Sequence, residues 1–290
     1  MNALRTVRWP YAVIAVLAVT AAAFGLLRPQ TEPAAVASAA KKKPGATERI
    51  QQNPPPGLFT DAEIAPIGRQ AAAQRKKADA LFARWTSVHG TARDDKAFAA
   101  WAARRLPAPP TAKERAAELH QVQQLAKSRT AAGKKAATWL ELYGKKDIWK
   151  LYLHDQRELV PAQQGAAEKA QLKSALKLAK TISDQLAAKD KQPAPFVLDP
   201  GLRPEKHIKP GAKGPYSYPS RHAARAAAAV TFLSALAPER TAEYTRMQDE
   251  ILYSRLYMAG HVTSDLTSGS LLGYLIGDYE LAVNGHSRAH

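Results

Sequence analysis

The chain has 290 residues, no cysteine, and 42 Lys and Arg against 25 Asp and Glu, a formal net charge of +17. The missing cysteines exclude a disulfide scaffold, a thiolate metal centre and a cysteine nucleophile, while 46% hydrophobic residues are enough for a core and exclude a wholly disordered chain. The charge is uneven: residues 191–290 carry 11 basic and 9 acidic side chains, so the first 190 hold +15. This division predicts surface attraction in front and chemistry behind.

Arg5 and Arg8 precede an uncharged run, Tyr11 to Leu27. Positive residues before an apolar run predict a secretory signal or a retained membrane anchor within residues 1–40. Ala35, Ala37 and Ala39 offer small residues for cleavage. Both forms place the rest of the chain outside the cytoplasm. Residues 41–58 read as a Pro-rich basic linker: Pro44, Pro54, Pro55 and Pro56 oppose regular helix. Lys41, Lys42 and Lys43 suit an anionic headgroup surface.

Residues 59–290 read as one helical domain, with a helical front half (59–190) and an active-site half (191–290). Thr60 followed by Asp61 and Glu63 predicts a capped helix running to about Trp85. Phe98, Trp101 and Leu106 mark a helix from Asp94, ended by Pro107. Thr111 opens another, with Leu119, Val122 and Leu125 on one face. Further helices are expected up to Gly144, over 147–159 and over 166–188. No alternating run marks a strand. The Trp residues and Leu stripes read as core, and the Lys and Arg between them as mostly solvated faces. No basic–aromatic alternation is present, so no nucleic-acid partner is expected. His120, His154, His207, His286 and His290 lack ligand spacing, so no metal site is expected.

Residues 190–215 are irregular and Pro-rich. Ser220 and His222 then open a helix from Ala223 to Leu236, where free amides and the helix dipole favour an anion. Another helix follows Pro238. Gly260 reads as its stop, leaving His261 in a turn. Asp265 lies one helical turn further on, where its carboxylate can accept from the ring N–H and fix the tautomer. Together with Arg255 these residues supply an oriented imidazole, a phosphate-binding guanidinium, a hydroxyl with helix-start amides, and a second histidine as acid.

The pattern Ser254-Arg255-x5-His261-x3-Asp265, preceded by Pro219-Ser220-x-His222, resembles the superfamily of type 2 phosphatidic acid phosphatases, bacterial class A acid phosphatases and vanadium haloperoxidases. The resemblance covers about residues 187–277. It implies an all-α fold, a helical bundle of the acid phosphatase/vanadium haloperoxidase type behind the N-terminal signal or anchor. It also implies an exported, metal-independent phosphatase acting on phosphate monoesters, lipid or small soluble. His261 would become a phosphohistidine, Asp265 would orient it and His222 would protonate the leaving oxygen. Arg255 and Ser220 would hold phosphoryl oxygens. No cofactor is implied, except that vanadate would mimic phosphate, or serve as cofactor in a haloperoxidase-like alternative. A second alternative is a catalytically decayed binding protein. The expected partners are a phosphorylated small molecule or phospholipid, and an anionic membrane or wall surface for the basic front half.

The family's first motif, Lys-x6-Arg-Pro, is degenerate here. One match places Ala187 and Ala194 at the two cationic positions. The alternative, Arg203-Pro204, places Phe196 at the Lys position. Arg221 stands where the middle motif has Gly. Arg221, Arg203, Lys189 and Lys191 are candidates for the lost phosphate-binding charge, and weak activity is expected.

Overall fold

The helix starts read at Thr60, Asp94 and Thr111 hold. The computed structural model describes residues 44–202 and 216–286; the signal or anchor run, Arg203, His207 and His290 lie outside the described residues. Helix α1 spans Ala46–Gln52, α2 Asp61–His89, α3 Asp95–Ala103, α4 Ala112–Lys127, α5 Ala131–Tyr143 and α6 Asp147–Arg157. Then come α7 Ala162–Asp190, α8 Pro195–Leu198, α9 Arg221–Leu236, α10 Thr241–Tyr257 and α11 Thr263–Val283. Thr60 and Thr111 both close capping boxes, with Glu63 and Glu114 reaching back to their amides at 2.8 Å. Among the described residues there is no strand, only an isolated bridge between Pro193 and Tyr216. The fold is all-α.

Helix α1 corrects the expectation for the linker. Pro44 and Pro54 bar helix only at and beside themselves, and the residues between have room for two turns. Ile50 is buried, and Arg49 pairs with buried Asp147 at 2.7 Å, so this stretch docks onto α6.

Helices α9 and α11 lie side by side at the centre, with α2, α7 and α10 packed around them. Their contact is unusually close. A Cβ on Gly273 would lie 2.2 Å from the Ala224 carbonyl oxygen, and one on Gly269 would lie 2.4 Å from that of Ser220. Helix α9 answers with buried Ala223, Ala224, Ala227 and Ala228. Small residues on both sides let the two backbones approach. This approach sets the start of α9 against the start of α11.

Two buried clusters flank the pair. One gathers Trp139, Trp149, Tyr152, Tyr244, Phe232 and Ile251. The other gathers Trp85, Phe98, Trp101, Ile182, Leu275 and Tyr279. In the second, Phe98 stacks on Tyr279 at 4.1 Å, and the Tyr279 hydroxyl donates to Asp95 at 2.9 Å. Trp85, Trp101, Trp139 and Trp149 are therefore core, as their spacing predicts. No helix among the described residues is long and apolar enough to cross a membrane.

Candidate active site

Ser220, His222, Arg255, His261 and Asp265 converge where the starts of α9 and α11 meet the end of α10. Ser220 caps α9, its Oγ accepting from the Ala223 amide at 3.3 Å. Its own amide donates to the Asp265 carbonyl at 2.8 Å, which ties the two helix starts together. Helix α10 ends at Tyr257. The left-handed residue that turns the chain is Ala259 (φ 52), not Gly260. The stop is one residue earlier than the sequence implies because the Gly260 and His261 amides both return to the Arg255 carbonyl. His261 sits in the turn, as expected.

The His261 ring has two defined neighbours. Nδ1 lies 3.0 Å from the Ser217 carbonyl oxygen. A carbonyl can only accept, so Nδ1 carries the proton. Nε2 then holds the lone pair and faces the Ser220 hydroxyl at 3.3 Å. Asp265 stands further off, with Oδ2 3.5 Å from Nδ1. The expected tautomer control therefore belongs first to the Ser217 carbonyl, and Asp265 contributes charge behind it. Burial pulls the His261 pKa below its ordinary value, against the opposing pull of Asp265. The ring is neutral at neutral pH, as a nucleophile must be.

Asp265 is completely buried, and burial works against its ionisation. His261 and Arg115 outweigh that and hold its carboxyl below the usual carboxylate range. Arg115 comes from α4. Its Nη1 donates to Asp265 Oδ1 at 2.6 Å, and its Nη2 donates to Ser217 Oγ at 2.6 Å and to the Pro193 carbonyl. One guanidinium thus ties three segments of the site. Nearby, Glu118 accepts from the amide and hydroxyl of Ser264, each at 2.7 Å, at the start of α11. The reading of basic residues on these helices as solvated fails for Arg115. A signal was present: Arg115 lies four and seven residues before Leu119 and Val122, on the inward face.

The His222 ring lies 6.1 Å from the His261 ring, centroid to centroid. Burial, then the charges of Lys145, His261, Arg221 and Arg225, push its pKa well below the ordinary histidine value. His222 Nε2 makes no hydrogen bond and stands 3.5 Å from Glu141 Oε2. Arg255 is buried and donates to Ser254 Oγ at 3.0 and 3.1 Å and to the Ala137 carbonyl at 3.2 Å. Its Nη1 contacts Glu141 Oε2. Burial lowers its pKa to about 9, which leaves it cationic at neutral pH.

The proposed substitutes for the first motif fare unequally. Arg221 turns to Asp184 on α7 at 3.0 Å. Lys191 closes α7 in a left-handed conformation (φ 49), and Lys189 is exposed. Arg203 lies outside the described residues. Ala194 is buried at the start of α8, and the Phe196 amide donates to the Ala259 carbonyl at 3.2 Å, beside the His261 turn. Arg115, Ser217, Glu141 and Lys145 are the site residues that motif reasoning missed.

Residues 175–283 match the family model of the PAP2 superfamily, and all five converging residues lie within that stretch. No curated protein and no solved structure matches the chain. Helices α4 and α5 lie outside the matched stretch.

Proposed function

We propose that the protein hydrolyses phosphate monoesters through a phosphohistidine on His261. One observation carries this reading: the Ser217 carbonyl fixes the proton on Nδ1, so the Nε2 lone pair faces the capped start of α9. The PAP2 match supports phosphatase-type chemistry there.

In the first step Nε2 attacks phosphorus while the bond to the ester oxygen breaks. That oxygen takes a proton from His222, and the phosphorylated imidazole gains positive charge. Asp265, held ionised by Arg115, stabilises that charge. Arg255 and the α9 amides hold the phosphoryl oxygens, where negative charge is spread. In the second step His222, now neutral, takes a proton from water. The resulting nucleophile attacks phosphorus, the P–N bond breaks, and phosphate and neutral His261 are released. Because His222 is neutral in the empty site, its proton arrives with a monoanionic ester or is drawn in by the bound anion.

Arg5 and Arg8 before the uncharged Tyr11–Leu27 run, and the basic front half, support the reading of an exported enzyme held on an anionic surface. Protease added to opened cells should digest the body of the protein; full protection would rule this location out. The chemical test is a chromogenic phosphate ester with wild type and His261→Ala. Turnover that survives the substitution would overturn the mechanism. Phosphate binding without any turnover would identify a decayed binding protein, and peroxide-dependent halide oxidation only with vanadate would identify the haloperoxidase alternative.

A further inference from the structure

The Glu141 carboxylate lies among the groups that the proposed mechanism assigns to phosphate. Its Oε2 contacts Arg255 Nη1 and stands 3.5 Å from His222 Nε2. Its Oε1 contacts Lys145 Nζ. Arg255 would hold phosphoryl oxygens and His222 would face the leaving oxygen, so Glu141 is held by the groups meant for the substrate. Lys145 is the third member of that grip. It follows Gly144 at the end of α5, outside the stretch that matches the superfamily.

Lys145 also answers the gap left by Ala187 and Ala194. Arg221 is engaged with Asp184, and Arg225 donates to the Leu176 carbonyl at 3.2 Å. Lys145 points instead to the carboxylate that Arg255 holds. Burial, helped by Arg221 and Arg225, lowers its pKa to about 8. Such a cation gains from a second anion nearby. Arg255 and Lys145 left together without a counter-charge would be costly, because partly buried like charges repel and lose hydration. Glu141 offsets that cost in the free protein. A phosphate dianion brings more charge and more acceptor oxygens than a carboxylate, so it can displace Glu141.

We propose that Lys145 joins Arg255 in the phosphoryl-oxygen clamp of this protein, standing in for the cations missing from the degenerate first motif, and that Glu141 occupies the clamp as an internal anion until phosphate displaces it. This rests on the phosphatase-type reading of the site. The ligand class is a tetrahedral oxyanion, with free phosphate as the simplest member.

The test is calorimetry of the full chain with inorganic phosphate. Glu141→Gln removes the competing charge and should tighten phosphate binding roughly tenfold. Lys145→Met should weaken it roughly tenfold, and Lys145→Arg should restore most of the loss. Circular dichroism and a cooperative melt check that each variant is folded. If Glu141→Gln does not fold, Glu141→Asp, whose shorter side chain retracts the carboxylate, must tighten binding in the same direction. Unchanged or weaker phosphate binding on replacing Glu141, or wild-type binding by Lys145→Met, would overturn the proposal. A chromogenic-ester assay with His261→Ala separates the two claims. If the clamp variants shift binding as stated while turnover is absent or independent of His261, the clamp stands and the hydrolytic reading falls.

Discussion

The His261 ring is set from three directions: the Ser217 carbonyl at Nδ1, the Ser220 hydroxyl at Nε2, and the Asp265 charge behind. Substitutions should separate these roles. His261→Ala should abolish turnover with the helical signal intact. Asp265→Asn keeps the shape but loses the charge that offsets the phosphorylated ring, and should lower kcat by about a hundredfold or more. Arg115→Ala leaves the Asp265 carboxylate buried without its cation. It should cost about 3–5 kcal/mol of stability, read as a lower denaturation midpoint. The pH profile follows from burial. His261 must be neutral and His222 must be charged, and both have pKa values below the ordinary 6.5. The kcat/KM profile should therefore peak on the acid side of about 6.5 and fall as pH rises. A maximum above pH 8 would show that His222 is not the acid.

Helices α9 and α11 carry the site because their small residues let the backbones meet. Gly273→Leu has no room against the Ala224 carbonyl and should destabilise by about 1–3 kcal/mol or more in urea unfolding. Gly269→Ala presses on the Ser220 carbonyl instead, so phosphate binding should fall even where the fold survives. The starts of α2, α4 and α9 were legible in the sequence, since Thr60, Thr111 and Ser220 act on amides within a turn of themselves. The five motif residues were legible too, because their spacing places them at two helix starts and one helix end. Glu141 and Lys145 were not, and Arg115 was marked only by its place on the inward face of α4. Each acts across a contact between distant segments, and a Glu and a Lys four residues apart, as in Glu141–Lys145, look like an ordinary solvated pair. Helix α1 was missed because its length is short and its reason for forming, the Asp147 contact, lies far along the chain.

For the molecule as a whole, pH acts on stability through opposed groups. His222 and His261 are depressed in the folded state. Unfolding therefore takes up protons below about 6.5, and stability is lost as pH falls through that range. Asp249 and Glu250 behave oppositely. Burial raises both to about 7, so the stability they contribute is present in acid and is lost as pH rises toward 7. Asp249 sits against Gly68 with one carboxylate oxygen unpartnered. Asp249→Asn should raise the melting temperature, by more at pH 8 than at pH 5. An equal gain at both values would show that the aspartate is not held with a raised pKa.

The ion pair between Arg115 and Asp265 joins residues 150 positions apart. Neither α4 nor the start of α11 can complete it until the intervening helices have packed, and closing so long a loop costs chain entropy before any contact repays it. Assembly of the nucleophile is therefore a late event, separate in time from helix formation. On dilution from denaturant, far-ultraviolet helicity should return first. Phosphate binding and turnover should follow in a slower phase.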